Sequence, residues 1–283
     1  MTAFCPTSSP HNPARTRRSC GCSSVGGSPC HSVCLPPAPK TASRVPWLTS
    51  IHGTPGRGNY GESAYRGNCS GLLIKDLLNY YQPGRVLDPM SGGDTCGDVC
   101  REMNIDYSSG DIRLGFDATD PDFYRKLGRF EFVWLHPPYW RMIRWGDDPR
   151  CLANAPTLKD FQARLRAVIR NCVSVLAPNG VIAILMGDYI DGGRYLALPF
   201  RTMNIAAAEE LELAAPEIVR FSHGATSSRK TYQTSFIPRL HDVCLVLRRS
   251  SSGRMERADA GRQRGGGERG RGRTQSGWMH QSS

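Results

Sequence analysis

Residues 130–140 read FEFVWLHPPYW, and this stretch constrains the fold more than any other in the chain. A short apolar run rich in aromatic and β-branched residues fits a buried strand better than a helix. The run stops at His136. Pro137 and Pro138 then remove two N–H donors and restrict φ, so the chain must leave its sheet in a rigid, extended turn. Open α/β sheets keep their binding crevices at the carboxyl ends of the strands, which is where this turn delivers His136, Tyr139 and Trp140. An aromatic ring and a hydrogen-bond acceptor on a stiff turn suit a flat ring bearing an exocyclic amine. The aromatic stacks on the ring and the acceptor takes a hydrogen bond from the amine. Taken alone, the two prolines also fit the plain stop of a buried strand.

The rest of the chain alternates between helical and strand patterns. Apolar spacing predicts a helix over residues 71–81, ended by Pro83-Gly84, and a short buried strand over 85–88. A glycine-bearing loop over 89–93 leads to a helix over 95–103 and a second strand over 105–110. Asp120-Pro121 opens a further helix to residue 127, just before the organising strand. Residues 141–156 form a polar excursion with Arg141, Arg144 and Arg150. Thr157-Leu-Lys-Asp160 has capping-box form, apolar residues over 161–176 continue that helix, and Pro178-Asn179-Gly180 closes it. A buried strand over 181–186, a helix over 194–210, and an antiparallel pair over 217–221 and 242–248 complete the pattern. A basic loop over 223–240 joins the last two. Strands alternating with helices define a doubly wound α/β sheet, mostly parallel, with an antiparallel final strand.

The formal charge of +11 points to an anionic partner. Residues 1–66 hold +6 and residues 250–283 hold +4 of it, leaving +1 for the middle, so the charge says little about the core. Residues 1–58, dominated by Ser, Pro, Gly, Thr and Arg, are expected to be a disordered extension. Residues 59–249 are expected to form one domain, and residues 250–283 an Arg/Gly-rich tail. That tail is similar to segments that bind nucleic acid without sequence preference, and a merely solvated tail fits it as well. Cys20, Cys22, Cys30 and Cys34, with His31, offer zinc donors in a C-x-C-x7-C-x3-C spacing. Structural zinc sites favour paired C-x-x-C arrangements, so a tail without metal is the preferred reading. Eleven cysteines is an odd number, and those of the core lie among apolar residues, as expected of reduced thiols in the cytoplasm. With no apolar run of about eighteen residues and no apolar leader, neither a membrane span nor a signal peptide is expected.

Asp88-Pro-Met-Ser-Gly-Gly-Asp-Thr-Cys-Gly97 lies between a strand and a helix, where backbone N–H groups and a helix N-terminus can receive a cofactor. The loop lacks the Gly-Lys-Ser/Thr ending of a phosphate-binding loop. A dinucleotide fingerprint would need glycine at 94, which is Asp, and an acid there opposes a pyrophosphate. It opposes nothing in a sulfonium with an amino-acid tail. Asp111 is placed to bind ribose hydroxyls, and Phe116-Asp117 to bracket an adenine.

VLDPMSGGDT followed by WLHPPYW resembles the DNA amino-methyltransferases, whose motifs are of DPF-x-G-x-G-T-T and D/N/S-P-P-Y/F type. The likeness covers roughly residues 60–249 and includes the order of the motifs. The resemblance implies a Rossmann-like class I methyltransferase fold that binds S-adenosylmethionine. It implies cofactor roles for Asp88, Met90, Gly92, Asp111 and Asp117, and for Asn68 in the upstream segment of residues 65–70. It implies catalytic roles for His136, Pro137, Pro138 and Tyr139, and no metal. The implied reaction is methyl transfer to an exocyclic amine of DNA, adenine N6 or cytosine N4, with RNA or a protein amide as alternative acceptors. The chain departs from the pattern in two places: His136 stands for Asp, Asn or Ser, and Asp94 for glycine. Both departures also fit a cofactor- or nucleic-acid-binding protein that has lost catalysis. No separate domain for reading a target is apparent, and nothing in the sequence sets an oligomeric state.

Overall fold

A computed structural model describes residues 39–54, 58–221, 233, 235, 237 and 239–250. The readings placed on the N-terminal cysteines, the basic loop over 223–240 and the C-terminal tail fall largely or wholly outside those residues. In chain order the elements are β1 (Ile51–His52), α1 (Gly71–Tyr81), β2 (Arg85–Asp88), α2 (Thr95–Met103) and β3 (Asp106–Ser109). They are followed by β4 (Phe130–Leu135), α3 (Leu158–Val175), β5 (Leu176–Met186), β6 (Ile190–Asp191) and β7 (Arg194–Tyr195). The last are α4 (Leu198–Ala208), β8 (Leu211–Leu213), β9 (Ile218–Phe221) and β10 (His241–Arg249).

The main sheet has the order β1-β9-β10-β5-β4-β2-β3, with β8 pairing on β10. β3, β2, β4 and β5 are mutually parallel neighbours, and β10 runs antiparallel to both β5 and β9. Sheet faces alternate along each central strand. On β5, Val181, Ala183 and Leu185 pack with α1 and α2, whereas Ile182, Ile184 and Met186 pack with α3 and α4. On β10, Cys244 and Val246 take the first side and Leu245 and Leu247 the second. Burial on both faces is why these strands read as continuous apolar runs, as parallel strands under two helix layers must. Each fully buried large apolar side chain contributes about 1.5–3 kcal/mol relative to exposure.

Helix ends follow local chemistry. The Ser70 side chain accepts the Leu72 N–H at the start of α1. Thr157 and Asp160 form the reciprocal capping box predicted for α3.

Four boundaries differ from the sequence reading. Residues 120–127 do not form a helix, because only Pro121–Phe123 make a 3-10 turn capped by Asp120. Tyr124 then turns inward, and its hydroxyl donates to the Ala118 carbonyl. The helix expected over 194–210 is shortened by a hairpin of β6 and β7, whose Gly192 and Gly193 have φ of 53° and 82°. Such values favour glycine, and Pro199 then opens α4 at a helical position that needs no N–H donor. The strand expected over 181–186 begins at Leu176, immediately at the end of α3. Finally, Ile51 and His52, which the sequence reading leaves in the N-terminal extension, pair in parallel with Val219 and Arg220, and Val45 is buried.

Candidate active site

After β2 the chain crosses to β3 on one side, and β4 lies on the other, so strand order reverses between β2 and β4. Loops leaving the carboxyl ends of two such strands diverge and leave a crevice. A cavity of about 370 Å³ opens there, and Asn68, Asp88, Met90, Gly92, Asp111, Asp117, His136, Pro137, Pro138 and Tyr139 all line it. The ten residues singled out in the sequence therefore converge on one site.

In the half nearer β2, Gly92 has a φ of 51°, and a Cβ on it would come within 2.9 Å of the Tyr65 ring. Conformation and close approach both call for glycine. The Gly92 N–H donates to Asp111 Oδ2 at 2.9 Å, while Asp111 Oδ1 accepts from the Arg113 N–H at 2.8 Å and Nε at 2.9 Å. The Arg113 guanidinium also lies 4.7 Å from the Tyr65 ring centroid. Asp111 is thus braced by the loop it faces. Asn68 accepts from the Thr95 hydroxyl and donates to the Glu62 carbonyl, tying the 60–70 segment to the start of α2. Asp117 accepts from the N–H and hydroxyl of Thr119, and the neighbouring Phe116 ring packs 4.9 Å from that of Phe123. Asp88 is buried at the end of β2, and among the described residues its carboxyl accepts the Met90 N–H alone, at 3.1 Å. Burial pushes its carboxyl up to about 8 against the effect of that hydrogen bond.

Asp94 adopts the left-handed conformation, with φ 59° and ψ 31°, that a glycine would otherwise supply. Its carboxylate turns away from the cavity, accepting from the Tyr107 hydroxyl at 2.9 Å and pairing with Arg101 at 2.8 Å. The space it fills is the one a Cβ on Gly97 would need. Gly97 leaves the room that the Asp94 carboxylate takes.

In the half nearer β4, His136 Nε2 lies 3.0 Å from the Tyr139 hydroxyl. Burial pulls the imidazole down to about 4, Arg220 adds to the shift, and Asp242 opposes it. The ring is neutral at physiological pH. Trp140, next in sequence, has a φ of 51°, which costs a residue of its size about 1–3 kcal/mol. Its indole N–H donates to the Ala155 carbonyl at 2.9 Å and its ring lies under Arg141, contacts that hold the turn in place.

Among the lining residues that sequence reasoning missed, four bear on the chemistry. Arg220 on β9 and Asp242 on β10 form a buried ion pair at 2.5 Å. The available signal was a charge inside an otherwise apolar strand pattern. Arg113 carried no signal. Trp145 belongs to the excursion over 141–156; its indole N–H donates to the Arg66 carbonyl at 3.2 Å, and its ring stacks on Tyr65. The excursion and the 60–70 segment therefore meet beside the cavity.

A parallel sheet with helices on both faces, one antiparallel strand between β5 and β9, and a crevice at the switch point define a Rossmann-like fold of the class I methyltransferase type. No family model matches the chain, and no curated protein matches it. Among solved structures it is similar to TrmN from Thermus thermophilus, at 18% identity over 65% of this chain and 50% of that one, with a TM-score of 0.43. It is also similar to TTHA0409, a candidate DNA modification methylase from the same organism, at 16% identity over 59% and 53% of the chains, with a TM-score of 0.35. A third is the glycopeptide N-methyltransferase MtfA complexed with S-adenosylmethionine, at 10% identity over 59% and 87%, with a TM-score of 0.36. The chain spans about half the length of the first two. The fold assignment rests on the strand order rather than on these scores.

Proposed function

We propose that the chain is an S-adenosylmethionine-dependent methyltransferase acting on an exocyclic amine of a DNA base, adenine N6 or cytosine N4. The observation that carries this reading is the convergence of the glycine loop after β2 and the His-Pro-Pro-Tyr turn after β4 on one cavity. Neighbouring parallel strands present a cofactor-type loop and an amine-type turn side by side, as transfer between two bound reactants requires.

The residues present fit the cofactor. Asp88, Asp111 and Asp117 line the β2 half with the close-approach loop at Gly92, an acidic setting that favours a cation bearing ribose hydroxyls over a pyrophosphate. Asp111 would take the ribose, Phe116 and Asp117 the adenine, and Asp88, Met90 and Asn68 would lie along the amino-acid tail. The cofactor supplies an electrophilic methyl group. The chain's own part is orientation, which alone can lower a barrier by about 7–11 kcal/mol. Tyr139 offers its ring to an extruded base, a stacking contact worth about 1–3 kcal/mol. The Pro137 carbonyl, kept out of helical geometry by the following Pro138, would accept from the amine.

Incubation with tritiated-methyl S-adenosylmethionine and either duplex DNA, single-stranded DNA or RNA, followed by nucleoside analysis, tests the proposal. Label in N6-methyladenine or N4-methylcytosine of DNA is expected. Label in RNA alone would move the substrate class. Saturable cofactor binding without label in any acceptor would make the chain a binding protein.

A further inference from the structure

His136 stands where the resembled motif has a hydrogen-bonding acid, amide or alcohol, and the structure ties its Nε2 to the Tyr139 hydroxyl. One more acceptor faces the same space. Asp242, at the start of β10, lines the cavity together with His136 and Tyr139. Its Oδ2 accepts from the Arg220 guanidinium, and its Oδ1 has no hydrogen-bond partner among the described residues. A Cβ on Gly187, at the end of β5, would come closer than 3.0 Å to both Asp242 Oδ1 and Tyr139 Cε2. Those two atoms therefore lie within twice that distance, 6.0 Å, of each other. The absent Cβ lets the carboxylate of β10 close on the ring that the proline turn presents. Arg220 is only 11% exposed, and its Nε is buried without a partner among the described residues. Among the described residues Asp242 is the carboxylate paired with this desolvated arginine, and the pair holds Oδ2.

We propose that Asp242 is a catalytic residue: its Oδ1 accepts the hydrogen bond of the target amine and takes the proton that the amine sheds on methylation. This rests on the methyltransferase reading above. The amine nitrogen uses its lone pair to form the new C–N bond to the cofactor methyl as the C–S bond breaks, its electrons remaining on sulfur. The nitrogen then carries a positive charge and loses a proton to the Asp242 carboxylate, which passes it to solvent. The carboxylate that the proline turn lacks is thus supplied by a strand more than a hundred residues later, across the gap left by Gly187. His136 keeps the phenol of Tyr139 in place and is a positioning residue.

The test uses the full chain, tritiated-methyl S-adenosylmethionine and unmethylated duplex and single-stranded DNA. The substitutions are Asp242→Asn, Asp242→Glu, and Asp242→Asn combined with His136→Asp. Both single substitutions should lower kcat by about 10²–10⁴-fold, the range for lost proton transfer, with calorimetric cofactor affinity within about twofold of wild type. His136→Asp should restore at least tenfold in the Asp242→Asn background by returning a carboxylate to the turn. Asp242→Glu keeps a carboxylate for Arg220 to pair with, so it serves if Asp242→Asn does not fold. Wild-type kcat in either folded single variant overturns the proposal. So does a loss of kcat matched by loss of cofactor affinity and unrescued by His136→Asp, which would make Asp242 merely the structural partner of Arg220. A wild-type chain that transfers no label is a different result, because it overturns the function proposed above.

Discussion

The Tyr139 hydroxyl and His136 Nε2 meet at 3.0 Å, with their rings inclined at 65°. The contact joins the two functional side chains of one turn. Burial and the Arg220 charge bring the imidazole from 6.5 down to about 4, so an acid limb of activity arising from His136 falls near pH 4 rather than near 6.5. The unfolded chain takes up this proton first. His136 therefore supports the fold above pH 6.5, and that support is lost as pH falls from 6.5 through 4. Titration of the imidazole by NMR, with His136→Ala to assign the signal, checks the value; a midpoint above 6 would contradict it.

Asp88 behaves in the opposite sense. Its carboxyl is raised from 3.8 to about 8 by burial, so the folded state holds a proton that the unfolded chain has released. Its contribution is fully present below pH 3.8 and is lost as pH rises through 8. Asp88→Asn should match wild type near pH 4 and be the more stable protein at pH 9, as measured by urea unfolding at both values. It should also bind cofactor more weakly above pH 8, where wild-type Asp88 is a carboxylate and Asn is not.

Asp111 is both a candidate ribose acceptor and the brace of the glycine loop. Hydrogen bonds to charged groups are worth about 1.5–3 kcal/mol, and Asp111 accepts from Gly92 and Arg113. Asp111→Ala should lower the melting temperature and weaken S-adenosylmethionine binding by at least tenfold. Arg113→Ala should soften the loop while leaving the carboxylate available, with a smaller loss of affinity. Calorimetry of the two folded variants ranks them, and equal losses would remove Asp111 from the ribose.

Gly187 is held to glycine by space, not by its backbone. A Cβ there would overlap both Tyr139 and Asp242. Gly187→Ala should cost about 1–3 kcal/mol as an overpacking change and reduce methyl transfer more than cofactor binding. Denaturant midpoints and turnover measured on the same preparation check both effects.

The tails hold most of the formal charge of +11, so electrostatic attraction to DNA should reside there. A protein trimmed to residues 39–250 should retain cofactor binding and lose much of the salt-dependent DNA affinity. The cut is placed at 39 rather than 59 because Val45 is buried and β1 pairs with β9. An unchanged slope of affinity against salt would place the electrostatic contact in the folded unit.

Much of the architecture was legible because local rules dominate it. The spans of α1, β2 and α2 follow directly from apolar spacing, the Pro83-Gly84 stop and the glycine-bearing loop. The His-Pro-Pro-Tyr turn and the glycine loop announce themselves because proline and glycine impose backbone geometry within a few residues. Where local signals were weak, the long-range fold decided. Residues 120–127 had a helix opening, but burial of Tyr124 pulled the chain out of a helical path. Ile51 and His52 carried too little pattern to read as a strand and became one only when β9 offered its edge. Residue order alone marks the loops that face a ligand and the two positions, Asp94 and His136, that break the expected motif. How those departures are absorbed emerges with the folded sheet: Gly97 makes room for the Asp94 carboxylate, while β9 and β10 bring Arg220 and Asp242 to the same cavity as His136. The physical reason is sequence distance. Backbone preferences act between near neighbours, whereas a salt bridge between adjacent strands exists only once the whole sheet has formed.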